Sequence, residues 1–236
     1  MKDCHMHEDW ENAPRLPAAV RKQQESQSVA EILADNPAFT PLRVLHKRTL
    51  AASFWGQRWN RNLDTYQEYD LRLDRGRYHL RAGTVVDLQM EGRQVTGQVW
   101  EGRLYRVHAT FASMDTQKWE RFRQEIATEL SSVVALLQGQ VSEDLAARIV
   151  HPEGGLFPTV RELTYSCTCG GEVGICSHIA AVLYGIGVRF DADPTLFFSL
   201  RGVTLEDCLQ TAGEQFLQEV GPTEPLDLQL FDLDFM

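Results

Sequence analysis

The chain has 236 residues, 43% hydrophobic and 24% charged, which allows one good core or two small ones and excludes wholesale disorder. No run of 18 apolar residues occurs, and residues 1–15 hold no apolar signal core, so neither a membrane span nor secretion is expected and the chain is placed in the cytoplasm. The net charge of −10 would repel nucleic acid if it were evenly spread. It is segregated instead: residues 41–110 carry 12 Arg and Lys against 7 Asp and Glu, whereas residues 161–236 carry 3 against 12.

In chain order, residues 1–45 read as a loosely attached arm punctuated by Pro14, Pro17, Pro37 and Pro41, with a short amphipathic helix around Val29, Ile32 and Leu33. Three alternating stretches, TVVDLQM, QVTGQVW and RLYRVHATF, are separated by Glu91-Gly92 and Glu101-Gly102 and predict a three-stranded antiparallel meander. Asp115 is placed to cap a long helix in which Trp119, Phe122, Ile126, Leu130, Val133 and Leu137 form one apolar stripe, ending near Gly139 and covering a sheet face. A short helix over Ser142–Val150 leads to HPEGGLFP, where two prolines and two glycines suggest a domain boundary. Beyond it, RELTYSCTC alternates as a strand, SHIAAVLYGIG reads as a helix, Pro194 starts a short helix through Leu200, and a last helix runs from Thr204 to about Val220.

Three of the five cysteines fall within ten residues, in the order Cys167-x-Cys169-x6-Cys176-x-His178. Three thiolates and one imidazole are the donor set of a closed, tetrahedral structural zinc site. Alternate residues of a strand point the same way, so Cys167 and Cys169 can present both sulfurs to one ion, and the glycines of GGEVGI let the chain reverse to bring Cys176 and His178 in from the other side. A redox CxC pair requires neither Cys176 nor His178, and an odd cysteine count argues against a disulfide scaffold.

The signature CxC, spacer, CxH resembles that of the SWIM zinc finger. Bacterial members of that family carry a WGxxW segment, an RGRxYxRxGxVxxL stretch and a Phe-rich leucine-arginine-glycine segment. These resemble Phe54-Trp55-Gly56-Gln57-Arg58-Trp59, RGRYHLRAGTVVDL from Arg75, and DPTLFFSLRG from Asp193. Gln57 departs from the lysine common there. The resemblance covers about residues 53–210 and implies DNA binding, protein binding or both, often beside helicase-like ATPases of the chromatin-remodeller superfamily.

Arg72, Arg75, Arg77, Arg81, Arg93, Arg103 and Arg106 could line a phosphate-binding face, with Trp55 and Trp59 available to stack on the bases of DNA or RNA, the alternative being a solvated arginine face and core tryptophans. Cys4, His5 and His7 lie in the arm without a fourth convergent ligand, and Cys208 falls on an apolar helix face. The tail EPLDLQLFDLDFM alternates acidic and apolar residues, so Leu228, Leu230, Phe231, Leu233 and Phe235 could dock in a partner's groove. Asp227–Phe231 also resembles a short motif for the replication sliding clamp, with Asp227 in place of the usual glutamine.

The expected architecture is α+β: a small antiparallel meander with its covering helix over residues 46–150, and a SWIM-type ββα finger with C-terminal helices over residues 151–221. The arm of residues 1–45 precedes them and an acidic, hydrophobic tail of residues 222–236 follows. The expected role is non-enzymatic recognition with Zn2+ as the cofactor, as an accessory subunit of a helicase-like ATPase. Stand-alone nucleic-acid binding is the alternative, and a zinc enzyme is the weakest reading because four protein ligands leave no open position.

Overall fold

Alternation of apolar residues sets the β-sheet, and a helix apolar on every face fills the space beneath it. The computed structural model describes residues 17–46, 48–66, 69–129, 133–140, 142–151, 155–170 and 174–204, together with residues 206, 207 and 210. The elements are α1 (Ala18–Asp35), α2 (Phe54–Leu63), α3 (Asp70–Ala82), β1 (Val85–Glu91), β2 (Gln94–Trp100), β3 (Leu104–Phe111), α4 (Thr116–Glu129), α5 (Val133–Leu137), α6 (Glu143–Val150), β4 (Leu163–Cys167), α7 (Ser177–Ala192) and α8 (Leu196–Leu200).

The meander forms as its alternation predicts, and both turn glycines take positive φ, 54° at Gly92 and 72° at Gly102. Val95, Val99, Val107, Ala109 and Phe111 are buried, while Arg106, His108 and Thr110 face solvent. The fourth strand is β4, antiparallel to β3 with Val107 opposite Cys167, so the sheet order is β1-β2-β3-β4. The boundary expected at residues 151–158 does not separate two domains, because a strand from beyond it completes the sheet and residues from both sides share one core.

The covering helix is α7, not the helix that follows Asp115. α7 touches all four strands as well as α2 and α3. Eleven of its residues are buried, including Ile179, Val182, Leu183, Ile186 and Phe190, and a helix apolar all round belongs in an interior. Of the long helix expected from Asp115, the described residues are helical over Thr116–Glu129 (α4) and Val133–Leu137 (α5), with Lys118 N donating to Asp115 Oδ1 at 2.9 Å. Ser142 caps α6 as expected, accepting from Leu145 N at 3.1 Å. The helix expected from Thr204 to Val220 lies almost entirely outside the described residues, as do residues 1–16 and the tail.

Two helices carry no assignment in the sequence reading. α2 starts at a capping serine, Ser53, whose Oγ accepts from Gly56 N at 3.0 Å, and it turns Trp55, Trp59 and Leu63 inward. α3 crosses α7 at Gly76. A Cβ there would lie 2.6 Å from Ala180 Cβ and 2.8 Å from Ala180 backbone carbon, so only glycine permits this approach. The arm is also less free than its composition suggests. α1 runs 18 residues, and beyond it Leu42 is buried, its N donating to Val85 O at 3.1 Å. Thr40 donates to Asp87 Oδ1, and Arg189 Nη2 donates to Thr40 O at 2.7 Å and Leu88 O at 2.8 Å, which ties this segment to β1 and α7.

Among the described residues no helix is long and apolar enough to cross a membrane. The Gly76 crossing gives a stability test: Gly76→Ala forces α3 away from the α7 backbone and should cost about 1–3 kcal/mol. Urea unfolding followed by tryptophan fluorescence reads it, and an unchanged midpoint would show that the two helices have room to spare.

Candidate metal centre

The four ligands arrive from two elements and the turn between them. Cys167 ends β4, and Thr168 extends the ladder by donating its N to Arg106 O at 3.0 Å while Thr168 Oγ1 accepts from Arg106 N at 2.9 Å. Cys169 follows in the turn. Gly174 has φ of 106° as the chain returns toward α7, and Cys176 is the N-cap of that helix, its sulfur accepting from Ile179 N at 3.5 Å. His178 lies in the first turn, beneath the sheet.

Cys167, Cys169, Cys176 and His178 each offer a ligand atom, all within 4.8 Å of one another. His178 Nδ1 is 3.8 Å from Cys167 Sγ and 3.9 Å from Cys176 Sγ. A tetrahedron built with Zn–S of about 2.3 Å and Zn–N of about 2.0–2.1 Å has ligand-to-ligand edges of roughly 3.6–3.8 Å. The residues therefore fit zinc after a slight contraction, with Nδ1 as the imidazole donor. Zinc bound there would be a structural ion, held at all four positions by protein.

The other ring nitrogen is also spoken for. His178 Nε2 lies 2.8 Å from Glu101 Oε2, and its ring stacks on Tyr105 with centroids 4.1 Å apart and planes at 20°. Glu101 sits in the β2–β3 turn and also accepts from Arg75, whereas Tyr105 is on β3 beneath Arg103. A carboxylate on the remote nitrogen of a metal-binding histidine fixes its tautomer and orientation and makes it a better ligand.

The proton affinities of the cluster follow from these contacts. The hydrogen bond from Cys167 pulls Cys176 down to about 3, against the effect of burial, and the bonds to His178 and Ile179 N act in the same direction. Cys167, on the other side of that bond, is driven up. Burial disfavours the charged ring of His178, but its bonds to Cys176 and Glu101 outweigh this and raise it to about 10. The bond from His178 and the one from Arg75 hold Glu101 down at about 2. These contacts favour the thiolate at Cys176 and the protonated ring at His178. Zinc must displace the Nδ1 proton and the remaining thiol protons, so its affinity falls as pH falls.

The structure places the other expected residues differently. Trp55 and Trp59 are fully buried, with Nε1 donating to Leu136 O at 3.0 Å and to Leu183 O at 2.7 Å. Their rings pack on Phe197 and Phe190 at 4.9 and 5.5 Å, so neither can stack on a base. The energy balance explains this correction: burying about 150–250 Å² of indole at about 25 cal/mol per Å² is worth roughly 4–6 kcal/mol. Stacking on one base is worth about 1–3 kcal/mol.

The four arginines of α3 do not share one open face. Arg77 is half-buried against the Tyr184 ring and binds Asp64 and Asp74, each at 2.6 Å. Arg72 donates to Ile175 O at 3.4 Å, Arg75 pairs with Glu101, and Arg81 is exposed. Arg72 and Arg75 line an open cleft with Leu71, Cys176 and Ser177, at the edge of the metal centre. Leu228, Leu230, Phe231, Leu233, Phe235, Cys4, His5, His7 and Cys208 all lie outside the described residues. The sequence reads Glu101 only as a hairpin-turn residue and His79 only as an isolated histidine, and gives Tyr105 no role beyond its strand.

Glu101→Gln keeps the shape and an acceptor oxygen but removes the charge that His178 needs on Nε2. Zinc affinity should fall about 10–100-fold, measured by competition with a chromophoric chelator. Equal affinity in the variant would show that Glu101 is a bystander.

Residues 149–185 match the SWIM zinc finger family, a span that runs from the end of α6 through β4 and the ligand loop into α7. The chain is also 31% identical over 165 residues to the uncharacterized protein Rv2102 of Mycobacterium tuberculosis (strain ATCC 25618 / H37Rv). That match covers 68% of this chain and 58% of the relative's length. No solved structure matches the chain. Residues 149–185 thus carry a match to the SWIM zinc finger, and within that segment Cys167, Cys169, Cys176 and His178 converge as a donor set that fits zinc.

Proposed function

We propose that this protein is a non-enzymatic recognition subunit, organised by zinc, that binds a helicase-like ATPase of the remodeller superfamily. The observation that carries this reading is the closed donor set: three sulfurs and one ring nitrogen converge, and no fifth position is left for a substrate or an activated water. The cytoplasm is the compartment in which such free thiolates persist.

Direct nucleic-acid binding is the second reading, and one feature favours it: Arg72, Arg75 and Arg81 are carried on a single helix next to the finger. Against it, Arg75 and Arg77 already face carboxylates of this chain, and the tryptophans are interior. The tail and its likeness to a sliding-clamp motif belong to the partner question as well.

The two readings separate on the zinc-loaded chain. The adaptor reading expects co-elution with a helicase-like ATPase of the same cell, and DNA or RNA affinity that stays weak at every salt concentration. Tight binding whose logarithm falls steeply with log salt, and that Arg75→Glu with Arg81→Glu abolishes, would replace the adaptor by the nucleic-acid reading.

A further inference from the structure

Behind the zinc ligands lies a second group of donors. His79 on α3, Glu101 in the β2–β3 turn and His178 on α7 bring their ligand atoms within 4.8 Å of one another. His79 is 3% exposed, and its Nε2 has no hydrogen-bond partner. In the tautomer with the ring proton on Nδ1, Thr84 Oγ1 accepts from His79 Nδ1–H at 2.9 Å and donates to His79 O at 3.2 Å, and Nε2 carries the lone pair.

That lone pair points toward Glu101 Oε2 at 3.6 Å. Two Lewis bases then face each other in a buried place, which is unfavourable unless a positive centre lies between them. A metal ion suits the gap: ligand bonds of about 2.0–2.1 Å to an imidazole nitrogen and a carboxylate oxygen span 3.6 Å at an angle of roughly 120°.

We propose that His79 Nε2 and Glu101 Oε2 form a second site for a divalent first-row transition metal, back to back with the finger. His178 stays with the finger, donating Nε2–H to Glu101, whose remaining lone pairs serve the second ion. Water completes the coordination from the adjoining cavity of about 290 Å³, which His79 and Glu101 line together with Glu25 and Tyr78. Nitrogen and oxygen donors select zinc, copper or nickel over calcium or magnesium. With two protein ligands, and with Arg75 on the other carboxylate oxygen, this site is weaker than the finger and exchanges its ion readily.

The experiment adds Zn2+ to the zinc-loaded full chain under equilibrium dialysis, with the histidine ring nitrogens followed by 15N NMR. The expected result is a second bound equivalent accompanied by a shift of His79 Nε2 to the metal-bound range. His79→Leu should return the stoichiometry to one equivalent, while the cobalt-substituted variant keeps the thiolate charge-transfer band of the finger. Uptake that stops at one equivalent overturns the site. So does a second equivalent that moves the rings of His46, His108 or His151 and leaves His79 unchanged. The ring spectrum of the unmutated chain decides the matter even if His79→Leu does not fold.

Discussion

The burial of α7 on every side is the constraint from which the remaining architecture follows. A helix carrying Ile179, Ala180, Val182, Leu183, Ile186 and Phe190 around its circumference must be enclosed, and the sheet, α2 and α3 supply the enclosure. Its small residues decide how close the neighbours come. Gly76 of α3 rests on Ala180, and a Cβ at Gly187 would lie 2.6 Å from Asn60 Oδ1 and 3.1 Å from Gly56 O of α2. Asp191 at the far end accepts from Ala52 N at 2.7 Å and Ser53 N at 2.8 Å, so the start of α2 is tied to the end of α7. Close packing of this kind transmits displacement with little loss.

The metal centre inherits that rigidity at the opposite end of the same helix. Cys176 and His178 stand on the first turn of a helix that cannot move, and Cys167 stands on a strand hydrogen-bonded to β3. Cys176 and His178 are therefore placed by the core and Cys167 by the sheet, while Cys169 stands in the turn after β4. The buried pair of Arg201 with Glu162 at 2.7 Å anchors the entry to β4, and Arg201 also donates to Ala112 O at 3.2 Å. That pair joins the end of α8 to both strands that flank the finger. Loss of one partner from such a pair would cost about 3–5 kcal/mol.

Legibility in the sequence tracked how local each signal is. The strands could be read because their alternation is local, and so could the four ligands, whose spacing is set within twelve residues. α6 was legible from its serine cap and α7 from its apolar run, but nothing local says that α7 is central. An unbroken apolar stretch hides which neighbour each face meets, and those neighbours come from residues 54–82. α3 was missed because Asp70–Ala82 is dense in arginine and interrupted by a glycine, which reads as surface, although Leu73 and Leu80 are buried and Gly76 is a contact point. Trp55 and Trp59 could be read as core residues or as stacking platforms, and only the long-range packing decides for the core. Glu101 was read only as a turn residue, because its partner His178 is 77 residues away.

Charge completes the picture, since the basic middle of the chain spends much of its charge on itself. Arg77 faces Asp64 and Asp74, and Arg75 faces Glu101, so these two guanidiniums add little to an open positive field, and the formal excess over residues 41–110, which already counts those carboxylates, rests on other basic residues. The Arg75–Glu101–His178 chain instead couples surface to metal. Zinc on Nδ1 would require Nε2 to carry the ring proton, that proton holds the Glu101 carboxylate, and the carboxylate holds the Arg75 guanidinium, whose side chain is 63% exposed. Leu71, 86% exposed one turn earlier on α3, shares the cleft with Arg75 and Cys176. Arg75 and Leu71 therefore stand at the surface beside the ligand cluster, and Arg75 is tied to His178 through Glu101.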